Sequence, residues 1–264
     1  MNASDILPLI ASGAVLAEPI SKLLSPFAAQ VGETFADAWE LAMGTNVKYF
    51  KEKNRLKRER SLLLFEQKLA YEIKQIPPEK VVEPAFRIIG PALEASKYHY
   101  DEPSIRDMFA KLIASSMNSD YKNSIHPAFA SIITQLSPLD AATLKYIVDE
   151  GRTPASEVRQ IPAAVFSIKQ KNGAKGMHEG VFIYRESVET KEQYASINSL
   201  TRNGLIRIED APEGRESIYA GFKEYKTFVS LSKANPEIYH LPQLQKKVLF
   251  LTGFGDSFCA VCLP

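Results

Sequence analysis

The chain has 264 residues, 45% of them hydrophobic and 24% charged, and carries a net charge of +1 at pH 7. Those proportions describe a globular protein of one large or two small domains, and they exclude a disordered chain or one of a single charge sign. Two cysteines exclude a disulfide framework and lead us to expect a reducing, cytoplasmic setting.

Residues 1–45 are rich in small side chains. Twelve uncharged residues lie between Asp5 and Glu18, and ten between Lys22 and Glu33. A spanning helix needs about 20 apolar residues, and Pro8, Pro19 and Pro26 break this stretch. No basic stretch precedes the first run, so no secretory signal is expected. The segment reads as short helices, either packed in a core or laid against a membrane or partner surface.

Residues 46–75 read as one long polar helix, "NVKYFKEKNRLKRER" followed by "SLLLFEQKLAYEIKQI". Leu62, Phe65, Leu69 and Ile73 fall at helical spacing and predict a core-facing stripe in its second half. "IPP" at 76–78 ends it. In the next segment, Val82, Phe86, Ile89 and Leu93 share a face, with Pro84 and Pro91 as first-turn or kink positions. Ile105, Met108, Phe109, Leu112 and Ile113 then give a full amphipathic period. Phe129, Ile132, Ile133 and Leu136 repeat it. Ser137, Pro138 and Asp140 form an N-terminal capping sequence, and Gly151 stands just past the helix end. Short-looped helices with one apolar face each predict a bundle.

Beyond 151 the periodicity changes. "GVFIYRESV", "LIRIED" and "ESIYAGF" read as strands, "KEQYASINSLTRNG" as a helix closed by a left-handed turn at Asn203-Gly204, and "KKVLFLTGFGDSF" as a strand entering a helix. Residues 152–190 are otherwise unassigned. The expected fold is therefore mainly α with a smaller α+β part. It comprises an N-terminal helical segment (1–75), a central helical bundle (76–150) and a C-terminal winged-helix-like domain (151–264).

The one concentrated charge feature is Lys48, Lys51, Lys53, Arg55, Lys57, Arg58 and Arg60 against Glu52 and Glu59, a net of +5. It reads as a contact for anionic lipid or phosphate, with Tyr49 and Phe50 as interfacial anchors, or as a solvated helix face. Residues 151–264 carry a net of only +3, and the helix at 191–203 offers Lys191 and Arg202 against Glu192. That is little charge for a DNA reader, so an interaction role is the stronger reading. His99, His126, His178 and His240 show no metal-ligand spacing. "HYDE" at 99–102 and His126 before Pro127 read as helix-leading residues. Cys259 and Cys262 stand as C-x-x-C without a second pair or a nearby histidine, and read as buried core at the end of a helix capped by Thr252. No metal, cofactor or catalytic motif is expected.

Four stretches, "PALEASKYHYDEPSIRDMFAKLIASSMNSD", "IHPAFASIITQLSPLDAATLKYI", "INSLTRNGLIRI" and "LTGFGDSFCAVCL", resemble the abortive-infection alpha family of bacterial proteins. The segment "LSPFAAQVGETFADAWE" is similar to the opening of that family. The resemblance implies a role in defence against phage and carries over no catalytic residue. The expectation is a non-enzymatic defence protein of the cytoplasm, peripheral at the inner membrane face. Its partners would be a protein, phage-derived ones included, or a membrane surface. The alternative is a DNA-binding transcriptional regulator using the winged-helix-like domain.

Overall fold

The computed structural model describes residues 34–35, 38, 52–151, 160–173, 176–183, 191–213 and 216–264, with 52–59 and a few other positions described as backbone alone. The expected helices of residues 1–45 fall outside this set, except that Thr34, Phe35 and Ala38 are helical and the last two are buried. The chain divides into two compact units, residues 1–134 and 135–263.

In the first unit, α1 (Glu52–Lys74) is followed by α2 (Phe86–Ser96), α3 (Pro103–Ser116) and α4 (Phe129–Gln135). The apolar period of α3 makes it the central helix. Ile105, Met108, Phe109, Leu112 and Ile113 are all buried, and so are Ala110, Ala114 and Ser115 on its remaining sides. Both α1 and α2 pack on it. On α1, Phe65, Leu69 and Ile73 are fully buried as expected, while Leu62 is half-buried and Ser61 takes the next inward position. On α2 the buried set is Ile88, Ile89, Ala92, Leu93 and Ser96. Phe86, expected on that face, is instead 47% exposed. It stands at the first turn with its ring over Gly90, where an added Cβ would come within 3.3 Å of it.

The second unit begins with α5 (Pro138–Glu150), whose predicted capping box is present: Ser137 accepts from the Asp140 amide, and Asp140 accepts from the Ser137 amide. Gly151 follows it, but with φ −72 and not the left-handed value. Read from sequence as part of the bundle, α5 packs instead on α6 (Lys191–Arg202) and β1 (Gln160–Ile168). Polar residues on its inward face account for this. Thr143 accepts a hydrogen bond from Ser196 at 3.1 Å, and Asp140 accepts one from Ser199 at 3.2 Å. Such groups need partners, and α6 supplies them.

A four-stranded antiparallel sheet in the order β2-β1-β4-β3 joins β1 to β2 (Met177–Ile183), β3 (Ile206–Asp210) and β4 (Gln243–Leu251). Between β1 and α6 the described residues form the hairpin strand β2, where a winged helix would place a second helix; the α+β class holds without that detail. "ESIYAGF", read as a strand, is helical: α7 (Glu216–Tyr219) runs into a 3-10 turn over Ala220–Glu224 and then α8 (Lys226–Ser232). The reason lies in the aromatic spacing. Tyr219, Phe222 and Tyr225, three apart, gather with Ala164, Phe166, Ile168, Phe182 and Leu231 in one buried cluster. The chain closes with α9 (Gly253–Cys262).

Candidate functional site

One face of α1 is fixed to the first unit at three levels. Ser61 donates to Asp101 at 2.7 Å, Phe65 packs its ring 4.9 Å from that of Tyr100, and Lys111 of α3 donates to the buried Glu72 carboxylate at 3.0 Å. Lys68 closes on the same carboxylate at 2.6 Å. Burial alone would push the Glu72 carboxyl up, but the hydrogen bonds and charges of Lys68 and Lys111 outweigh it and hold it below the ordinary value. A helix held this way presents its opposite face outward. Arg60 is exposed there, with Leu64 at 39% and Tyr71 at 58%, and Lys68 Nζ lies 5.3 Å over the Tyr71 ring.

The basic run read from sequence is described only in part. Lys48 and Lys51 lie outside the described residues. Lys53, Arg55, Lys57, Arg58 and Arg60 belong to α1. By helical register Lys53, Lys57 and Arg60 sit at i, i+4 and i+7, a spacing that continues through Leu64 and Tyr71, and of the three Arg60 is the one with a described, exposed side chain. Arg58 falls instead at the helical spacing of Ser61, Phe65 and Leu69, and Arg55 lies one turn before it. The acidic residues Glu52, Glu59 and Glu66 fall at i, i+7 and i+14 on a third face.

Glu66 adjoins the "KYHYDE" turn. Burial raises its carboxyl from 4.5 to about 7. Burial also pushes the Tyr100 phenol far up, with the Glu66 and Glu94 charges adding to it and a hydrogen bond from Ser96 opposing. His99 sets its ring 5.8 Å from that of Phe109, and its Nδ1 makes no hydrogen bond, with Glu102 3.9 Å away. Glu102 is the residue before α3, and His126 accepts from the Ala128 amide at 3.1 Å ahead of α4, so both segments lead into helices as read from sequence.

The second unit carries a groove of about 760 Å³ that the sequence reading missed. Tyr219, Ala220 and Phe228 line it with Leu241, Pro242 and Leu244, and Lys223 and Lys246 stand among them. Leu241 is 83% exposed, and Lys246 Nζ lies 6.0 Å over the Tyr219 ring. The aromatic spacing from Tyr219 to Phe228 is the sequence signal that marks this segment.

Helix α6, the expected DNA reader, is engaged by α5 and by β2 and β3. Its exposed described residues, Tyr194, Ala195, Asn198, Thr201 and Arg202, include one cation. It ends at Gly204 with φ 70, the left-handed turn read from Asn203-Gly204, and the Leu205 amide reaches back to the Leu200 carbonyl. Thr252 caps α9 by accepting from the Gly255 amide at 2.8 Å and donates to the Gly204 carbonyl at 2.6 Å. Cys259 and Cys262 are buried and not joined in a disulfide. Burial, and then the neighbouring Cys259, push the Cys262 thiol well above its usual value, which keeps it protonated and inert. Among the described residues no group of three or more His, Cys, Asp and Glu side chains could hold a metal ion, and no helix is long and apolar enough to cross a membrane.

The family model described as abortive infection alpha matches residues 57–262. The chain belongs to that family. The similarity read in "LSPFAAQVGETFADAWE" lies outside the matched residues. No curated protein and no solved structure matches the chain.

Proposed function

We propose that the chain serves abortive-infection-type defence by binding, not by catalysis. The family match across residues 57–262, which takes in most of α1, all of α2, α3 and α4, and nearly all of the second unit, is the observation that supports the defence role. Contact is made through the N-terminal 75 residues, with the outward face of α1 exposed, and through the second unit as a docking module. The groove beside Tyr219 suits an acidic segment of a protein partner, phage-derived partners included, because it joins an apolar floor to Lys223 and Lys246. The protein works in the cytoplasm, peripheral at the inner membrane face, and needs no cofactor.

A broad phage panel plated on cells with and without the gene tests the defence role. Reduced plaque counts for at least one phage are expected, and equal counts across the panel would overturn it. Lys223→Glu with Leu241→Asp should remove protection while the purified variant keeps its far-UV circular dichroism. Full protection by that folded variant would remove the groove from the reading.

A further inference from the structure

We infer that β4 takes up an extended acidic segment of a protein partner as an added strand, an inference that rests on the groove beside Tyr219 being the docking site proposed above. The row for that strand opens where β3 stops. The register of β3 on β4 ends with Asp210 opposite Lys247, and the Ala211 amide then donates to the Lys246 carbonyl at 3.2 Å. On its other side β4 stays paired with β1 as far as Gln243 opposite Ser167. Among the described residues, Gln243, Leu244 and Gln245 are therefore paired along one edge of β4 only. Backbone groups two residues apart point to the same edge of a strand, so the Leu244 amide and carbonyl face the row that β3 leaves. Strand addition employs such edge donors and acceptors.

The side chains define the occupant. Leu244 and Lys246, two apart on one face of β4, both line the groove, together with Tyr219, Lys223 and Phe228. Cross-strand neighbours share a face, so a residue opposite Leu244 enters the groove, where an apolar side chain meets Tyr219 and Phe228. Lys223 is exposed, and the described lining includes two lysines and no carboxylate. Acidic residues flanking the apolar one therefore match the groove, whereas a basic segment would bring like charges together. Strand β3 already shows this chemistry in the same row. Its "IRIED" alternates isoleucines with charged residues, and Asp210 accepts from Lys247 at 2.7 Å. The added strand repeats that pattern further along β4.

The test pans displayed random peptides of about twelve residues against the full chain. Enrichment of sequences that alternate apolar and acidic residues is expected, and a synthetic copy is then titrated by fluorescence anisotropy. Lys223→Glu/Lys246→Glu should weaken its binding by at least about tenfold. The same pair changed to Gln is the gentler variant, also weakened, and each variant is checked for far-UV circular dichroism like the parent's. Arg87→Glu/Lys122→Glu alters net charge equally at exposed sites of the first unit and should bind within about twofold of the parent. N-methylation of every second peptide residue should cost at least about tenfold in one register and less than about threefold in the other, because an added strand pairs along one edge. No enrichment, enrichment without acidic residues, equal binding by the two Glu pairs, or equal effects of the two N-methylated registers would overturn the assignment. The last of these, with binding still lost in the Lys223/Lys246 variants, leaves the groove as an acidic docking site and removes only the added strand.

Discussion

Glu66 makes the stability of the first unit depend on pH in a direction opposite to that of most carboxylates. Its carboxyl is raised from 4.5 to about 7 because the helix buries it beside the Tyr100 turn. Between those two values the folded chain holds a proton that the unfolded chain has released. Stability from this group is thus fully present below 4.5, declines as pH rises, and is lost above about 7. The whole interval is worth roughly 3 kcal/mol at about 1.36 kcal/mol per pH unit. Glu66 is only partly buried, so solvent screening reduces this to about 1.5 kcal/mol. Glu66→Gln removes the charge at nearly constant shape. The variant should match the parent at pH 4 and exceed it at pH 8 by about 1.5 kcal/mol, or roughly 3 to 6 °C in Tm. Thermal melts followed by far-UV circular dichroism at both pH values measure this. An offset of the same size at both values would show that packing, not charge, distinguishes the variant. Identical melting at pH 8 would refute the burial argument.

Other substitutions probe the remaining contacts. Lys111→Met leaves Glu72 with Lys68 alone and should cost about 1–2 kcal/mol at pH 7 by urea unfolding. Because the Glu72 carboxyl is held low, its stabilisation is present above 4.5 and lost as pH falls below that, so this cost should shrink towards pH 3. Gly255→Ala would place a Cβ 1.9 Å from the Leu205 carbonyl oxygen and should destabilise by about 3 kcal/mol or more, whereas Gly253→Ala, which meets open space, should change stability by less than about 1 kcal/mol. Cys262→Ser should cost about 1–2 kcal/mol and leave phage protection by the folded protein intact. A thiol reagent should reach neither cysteine until the chain unfolds, and rapid labelling of the native protein would contradict a core role.

The helices from α1 to α5 were legible because each carries its signal locally. Ile105 to Ile113 fill one period, and Ser137-Pro138-x-Asp140 states its own cap. What was not legible depended on distant partners. Strand β1 sits between β2 and β4, buried on most positions, so it lacks the alternation that marks a half-exposed strand. Pro162 within it further disguised it, and is tolerated because pairing with β2 begins only at Ala163. "ESIYAGF" contains β-favouring residues, yet its aromatics three apart bury as a helix against Phe166 and Phe182. Helix α5 gave no sign in its apolar pattern of which unit it would join. That choice rests on Thr143 and Asp140 finding Ser196 and Ser199, more than fifty residues away.

The basic run shows the same division between count and geometry. Along the sequence, +5 over thirteen residues describes a single cationic block. On a helix the same residues separate. Arg58 follows the register that buries Phe65 and Leu69, while Lys53, Lys57 and Arg60 follow the register that exposes Leu64 and Tyr71. The separation depends on which side of α1 is held, and that is decided by Asp101, Tyr100 and Lys111, none of which lies in the run. A surface contact by α1 should therefore be sensitive to position and not merely to charge.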